Sequence, residues 1–159
     1  MTKDSYIIIV TGIPGTGKTT LSKLIAEKKD FKYVDLNVFA KENNLIVGFD
    51  KERDCDIIDE DKLSDSIKAF EGKNVVIDSH MSHYIDPKIV DMCIVTKCDL
   101  KELKDRLEKR EYSPEKIREN LDSEIFDTCN VEAIEEGHKP IIVWTNKNVE
   151  EQLNKIKWN

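Results

Sequence analysis

Apolar residues fall in short dense runs separated by amphipathic stretches, and the two alternate along the whole chain. Tyr6–Val10 is a continuous apolar run that stops at Thr11-Gly12, the mark of a strand buried on both faces. Thr20–Lys29 places Leu21, Leu24 and Ile25 at helical spacing, and Phe31–Leu36 reads as a short strand. Asp61–Glu71 sets Leu63, Ile67 and Phe70 on one helical face, and Gly72 ends it. Val75–Asp78 and Met92–Thr96 are two further buried strands, followed by a charged amphipathic helix over Leu100–Arg110. Ser113-Pro114 is a helix start, with Ser as the cap and Pro in the first turn. The spacing of Ile117, Leu121, Ile125, Cys129 and Ala133 carries that helix toward Gly137. Ile141–Trp144 is the last strand, and Asn148 caps a final helix.

Strands alternating with helices predict a single α/β domain: three layers, a parallel five-stranded sheet, helices on both faces. Lys41–Asp61 breaks the rhythm. It is rich in Asn, Asp and Glu, has no periodic face, and reads as an insertion.

Composition narrows the partners. The 159 residues carry 25 basic and 32 acidic side chains, a net charge of −7. An acidic chain is not expected to bind nucleic acid strongly or to coat anionic membrane. No apolar stretch approaches the roughly 18 residues of a membrane span. The opening apolar run reads as a strand rather than a signal peptide, so a cytoplasmic location is expected. Cys55, Cys93, Cys98 and Cys129 form no CxxC pair and read as incidental thiols.

Gly12-Ile13-Pro14-Gly15-Thr16-Gly17-Lys18-Thr19 matches G-x-x-x-x-G-K-[ST] between a strand and a helix. Glycines let successive N–H groups turn toward phosphate oxygens. Lys18 reaches the outer phosphates, Thr19 offers a hydroxyl to Mg²⁺, and the helix presents its positive end. Four fixed positions coincide by chance in roughly one chain in a few hundred, and the context lowers that further. Val75-Val76-Ile77-Asp78 is an apolar strand ending in a carboxylate, which reads as the Walker B element, with Asp78 beside the metal. The alternative, a solvated strand-end aspartate, loses weight beside a phosphate loop. His80 follows Asp78 by two residues and His83 three after that; a histidine beside the metal site could orient a water or an acceptor, although such a histidine is more often a satisfied structural group. Asp78, His80 and His83 lack the further ligands of a zinc site.

Thr96-Lys97-Cys98-Asp99 matches the [NT]KxD guanine-reading pattern. A switch GTPase also needs a glycine three residues after the metal-site aspartate, where Met81 stands, and a switch threonine, which Lys32–Leu63 lacks. In residues 101–118 most charges are an interleaved, solvated helix face. Arg110 is the exception. It stands at the corner between two helices, where its guanidinium can close over a transferring phosphoryl group.

These pieces resemble the adenylate kinase isoenzyme 6 family, in its archaeal type. The resemblance rests on GIPGTGKTTL, DEDKL, VVIDSH, RLEKREY, IRENLDSEIFDTCNVEA and Thr145-Asn146-Lys147, and spans the chain. It implies a nucleoside monophosphate kinase fold with an NMP-binding insertion at about 35–58 and a short lid at about 109–119. It implies γ-phosphate transfer from ATP to AMP with Mg²⁺, intrinsic ATPase activity, and a role in small ribosomal subunit maturation through a platform ribosomal protein. A pure ATP-hydrolysing assembly factor is the alternative reading. Carried over residue by residue, Gly15, Thr16, Gly17, Lys18, Thr19, Thr20, Arg110 and Lys147 hold ATP. Thr19 and Asp78 hold the metal, and Lys18, Asp78, His80 and Arg110 are catalytic. Asp35, Phe39 and Lys41 fall in the NMP segment. Lys41 and Lys97 stand where arginines are usual, and Glu111 stands where the lid turn has glycine. A lysine lacks the bidentate fork, and Glu111 stiffens the turn, so these changes weaken transfer to an acceptor relative to hydrolysis. The acidic stretch Asp50–Asp65 is a candidate docking region for a basic partner.

Overall fold

The computed structural model describes residues 3–52 and 55–158. Strand β1 (Ile7–Thr11) is fully buried and runs into the phosphate loop and helix α1 (Lys18–Lys29). Then come β2 (Lys32–Asp35), α2 (Leu36–Glu42), and strands β3 (Ile46–Asp50) and β4 (Cys55–Ile58). Helix α3 (Glu60–Ile67) precedes β5 (Val75–Asp78), β6 (Met92–Lys97) and α4 (Leu100–Lys109). Helices α5 (Pro114–Ile125) and α6 (Thr128–Glu135), strand β7 (Ile141–Trp144) and α7 (Val149–Asn154) complete the order.

The main sheet has the order β2-β5-β1-β6-β7, parallel throughout. Register places Val10 and Asp35 both level with Asp78. The carboxyl ends of three adjacent strands therefore meet at one edge, where open α/β sheets take their ligands. Apolar side chains pack on both faces. Ile9, Leu36, Leu63, Ile77 and Ile85 lie on one side, and Ile8, Leu21, Ile25, Val76 and Ile94 on the other.

Three expectations need correction. First, the segment expected to be featureless holds the antiparallel hairpin β3–β4, and Leu45 just before it and Ile58 at its end are buried in the core. Two isolated anchors carry the packing, so no period showed. Second, the long helix expected from Pro114 to Gly137 is two helices. Asp127 sits in the left-handed region (φ 56°) and breaks it, and Ile125, expected inward, is 59% exposed. Third, Leu63 and Ile67 are buried as expected, but α3 is capped by the Asp59 carboxylate and passes into a 3-10 turn at Lys68–Phe70. All four cysteines are free thiols. Among the described residues no helix is long and apolar enough to cross a membrane.

Candidate functional site

The phosphate loop is held from below and from the side. Thr16 Oγ1 donates to the Ile13 carbonyl (2.6 Å) and pairs with Thr96 Oγ1 (2.7 Å) at the end of β6. Thr145, just after β7, donates to the Thr16 carbonyl (2.6 Å). Arg106 on α4 sends Nη1 to the Gly15 carbonyl (3.3 Å) and to Thr145 Oγ1 (3.1 Å). The fit leaves no room for side chains. A Cβ on Gly12 would lie 2.3 Å from Thr96 Oγ1, and one on Gly15 would lie 3.0 Å from Leu107, both at positive φ. The loop is thus a preset cradle at the N-terminus of α1, the geometry that binds phosphate.

Lys18 Nζ donates to the Ile13 carbonyl (3.3 Å), folded over its own loop. Burial lowers its pKa, against the pull of Asp78, and Arg110 adds to the lowering. Arg110 is exposed at the end of α4, near enough to Lys18 for the two cations to repel. Thr20 is exposed in the first turn of α1.

Thr19 Oγ1 donates to Asp78 Oδ2 (2.6 Å), joining the loop to the end of β5. The Tyr33 hydroxyl donates to the same oxygen (2.8 Å), and burial followed by the bond to Asp78 raises the phenol pKa. A hydroxyl and a carboxylate side by side are the oxygen donors a hard cation takes, with phosphate and water completing the shell.

Past Asp78 the chain turns through Ser79–Tyr84. His80 follows at once and is driven down to about 4 by burial, then by Lys18 and His83, so its ring is neutral near pH 7. His83 is buried and ties the turn down. Its Nδ1 meets Thr11 Oγ1 (2.7 Å) and its Nε2 meets Glu132 Oε2 (2.9 Å). With Glu132 ionised, Nε2 carries the proton and Nδ1 accepts from Thr11. His138 Nε2 lies 3.0 Å from the carbonyls of both His83 and Ile85.

The guanine-pattern residues serve the fold. Asp99 caps α4, accepting from the N–H groups of Lys101 and Glu102. Lys97 bonds Glu124 (2.7 Å) and Asp127 (2.5 Å) at the α5–α6 break. Burial alone would lower Lys97, but the two carboxylates outweigh it and leave its pKa raised. Burial wins at Glu124, whose pKa is raised despite Lys97 and whose Oε2 has no partner.

The acceptor-side residues are more dispersed. Asp35 caps α2 through the N–H groups of Asn37 and Val38. Phe39 tilts against Phe70, with centroids 5.3 Å apart, and Lys41 is exposed. Lys147 is exposed in the turn after β7, its ammonium 5.1 Å from the Trp144 ring centre. Glu111, at the proposed lid turn, has φ 58°. Sequence reasoning missed the roles of Tyr33, Arg106, Thr96 and Thr145. Thr96 and Thr145 carried a signal, being polar residues at the carboxyl ends of the strands on one side of the loop.

A preset phosphate loop, a facing strand-end carboxylate and a hairpin insertion on one flank define a P-loop kinase of the nucleoside monophosphate kinase type. Solved structures show the same fold. A shikimate kinase from Acinetobacter baumannii in complex with shikimate superposes with a TM-score of 0.60 at 14% identity, covering 96% of both chains. A sugar kinase from Janibacter gives 0.59 at 18%, covering 95% of this chain and 91% of its own. A family model described as an AAA domain matches residues 8–127. An adenylate kinase isoenzyme 6 homolog of Caenorhabditis elegans is 39% identical over 157 residues, covering 94% of this chain and 86% of its own. A homolog of the same name from Dictyostelium discoideum is 41% identical, with 86% and 78% covered. A Thermococcus kodakarensis protein bearing the name adenylate kinase is 43% identical, with 94% and 82% covered. The chain belongs to the adenylate kinase isoenzyme 6 family and is a phosphotransferase, an adenylate kinase-like nucleotide kinase.

Proposed function

We propose that the protein transfers the γ-phosphate of Mg-ATP to AMP, hydrolyses ATP slowly when no acceptor is bound, and acts in small ribosomal subunit maturation. The observation that carries the reading is the Thr19–Asp78 bond, which closes the phosphate loop against the strand-end carboxylate. Thr19 and Asp78 would hold Mg²⁺, which supplies positive charge to the β- and γ-phosphates. Lys18 leaves the Ile13 carbonyl for the phosphates, and Arg110 swings in from the end of α4. Two cations on the transferring group offset the charge that develops on its equatorial oxygens. The acceptor phosphate is already an anion, so placing it in line matters more than a base. Lys41 and the hairpin insertion flank that side, and Lys147 lies on the ATP side. The named C. elegans and D. discoideum homologs support this substrate pair.

Hydrolysis is the second activity, favoured by His80. A neutral imidazole near Lys18, two residues past the metal-side carboxylate, can accept a hydrogen bond from, and so orient, a water molecule. The net charge of −7 suits a basic protein partner such as a platform ribosomal protein, met in the cytoplasm. The acidic stretch Asp50–Asp65 is the proposed contact; its Arg53 and Asp54 lie outside the described residues.

The test is product stoichiometry from Mg-ATP with and without AMP. Two ADP per ATP consumed, with little free phosphate, is expected when AMP is present. Equal ADP and phosphate regardless of AMP overturns the kinase reading and leaves the hydrolytic cycle. His80→Ala should spare AMP-dependent transfer and impair hydrolysis. Equal loss of both activities removes the separate role given to His80.

A further inference from the structure

Tyr33 lies outside every motif of the chain, on the edge strand β2, yet its hydroxyl reaches the carboxylate at the centre of the site. The approach is set by register. Tyr33 pairs with Val76 on the neighbouring strand, two residues before Asp78, so the long side chain runs along β5 to its end. The ring is held in place on the way. It packs against the core on the α1 side of the sheet, and the Lys23 ammonium of α1 lies 5.4 Å from its centre. A tyrosine anchored at the ring delivers its oxygen to one place, because both side-chain torsions are then fixed and only the O–H bond still turns.

The bond pattern on Asp78 is one-sided. Thr19 at 2.6 Å and Tyr33 at 2.8 Å both donate to Oδ2, and among the described residues Oδ1 receives no side-chain donor. Two donors on one oxygen fix the carboxylate plane and reserve Oδ1 for a cation or its water. Once a metal arrives, Thr19 must serve both the ion, through a lone pair, and Asp78, through its one proton. Tyr33 is the donor that stays in place through that change.

We propose that Tyr33 is a positioning residue of the metal–nucleotide site, its hydroxyl holding the Asp78 carboxylate in the orientation that receives the cation. The proposal rests on the reading that Thr19 and Asp78 hold Mg²⁺. Outer donors of this kind contribute about 10- to 100-fold to metal affinity. Through β2 the same residue also joins the metal side to the acceptor side, since Asp35, two positions on, caps the first helix of the insertion.

The experiment compares wild type with Tyr33→Phe, which keeps the ring and its place over Lys23 and removes only the hydroxyl. A non-hydrolysable ATP analogue is titrated calorimetrically with Mg²⁺ and again with EDTA. Mn²⁺ bound in the ternary complex is counted by electron paramagnetic resonance, a readout independent of turnover. Wild type should bind the analogue more tightly with the ion. In Tyr33→Phe that ion-dependent gain should fall about tenfold, with affinity in EDTA unchanged and thermal unfolding still cooperative. A variant that keeps the full gain and the wild-type Mn²⁺ occupancy overturns the role of Tyr33. An equal loss with and without the ion also overturns it, since that marks damage to the loop. A wild type whose affinity ignores the ion overturns the metal reading itself, and the two failures are thereby distinguished. Should Tyr33→Phe unfold, Lys23→Ala gives the same test, because freeing the ring loosens the hydroxyl and must reduce the ion-dependent gain.

Discussion

Replacing Lys97 by Met removes the one cation that, among the described residues, bonds a buried carboxylate. Glu124 has a side chain 5% exposed, receives Lys97 Nζ at 2.7 Å on one oxygen, and has none on the other. At that separation the attraction is about 6 kcal/mol with an effective dielectric of 20. Taking both ions out of water offsets much of this in the native protein. The variant keeps the cost and loses the attraction, so the expected destabilisation is about 3–5 kcal/mol. Asp127, 37% exposed, adds less because water reaches it. The deficit must depend on pH. Burial already raises the pKa of Glu124, and without Lys97 it rises further. A carboxyl whose folded pKa exceeds its unfolded one loses stability as pH rises between the two values. The deficit of Lys97→Met should therefore be largest near neutrality and shrink as pH falls into the ordinary carboxylate range. Urea unfolding of wild type, Lys97→Met, Glu124→Gln and the double variant between pH 4 and 8 reads all of this. The double variant should recover about 2 kcal/mol or more over Lys97→Met. A single variant within 1 kcal/mol of wild type, or a double variant no better than the single, would refute the reasoning.

Other sites give separate expectations. Glu111 holds φ 58°, a conformation that costs a non-glycine residue about 1–2 kcal/mol, so Glu111→Gly should raise the melting temperature, by about 0.5–1 kcal/mol of net stability after the added chain entropy. A lower melting temperature would count against strain at this turn. His80 is held neutral, with its pKa lowered to about 4, so its contribution is complete above the ordinary histidine value and is lost as pH falls toward 4. The shift corresponds to on the order of 3 kcal/mol, and His80→Asn should flatten acid unfolding between pH 6.5 and 4; an unchanged slope would show that His80 is not the group responsible. Arg106→Ala removes the donor to the Gly15 carbonyl and Thr145, and should weaken ATP-analogue binding roughly tenfold, with Arg106→Lys only partly restoring it. Wild-type affinity in a calorimetric titration of Arg106→Ala would mean the loop holds its shape without α4.

How much of this was legible in the chain follows from how each feature is encoded. The sheet was readable because its strands are buried on both faces and leave continuous apolar runs, as Ile7–Val10 and Val75–Ile77 do. The phosphate loop was readable because its chemistry sits in consecutive residues, and Lys18, Thr19 and Asp78 stand where the motifs put them. What stayed hidden was built across the sequence rather than along it. Tyr33 and Asp78 are 45 positions apart, and Arg106 and Gly15 are 91 apart. No local period reports such pairs. The β3–β4 hairpin escaped because one face of it is exposed, with Val47 and Phe49 facing out, so its apolar residues do not mark a buried side. The break between α5 and α6 escaped because the positions on either side keep a helical spacing, while Asp127 stops the helix by turning left-handed. Lys97 then fixes the break from another strand. The same interaction explains why the guanine-like tetrapeptide misleads: its lysine and aspartate are both occupied, one by Glu124 and Asp127, the other by the start of α4. A short motif names a chemistry only when its side chains are free to meet a ligand. In this chain the phosphate loop meets that condition: Thr16 and Thr145 hold its backbone, while Lys18 is tied only at 3.3 Å to a carbonyl of its own loop and is left for an anion.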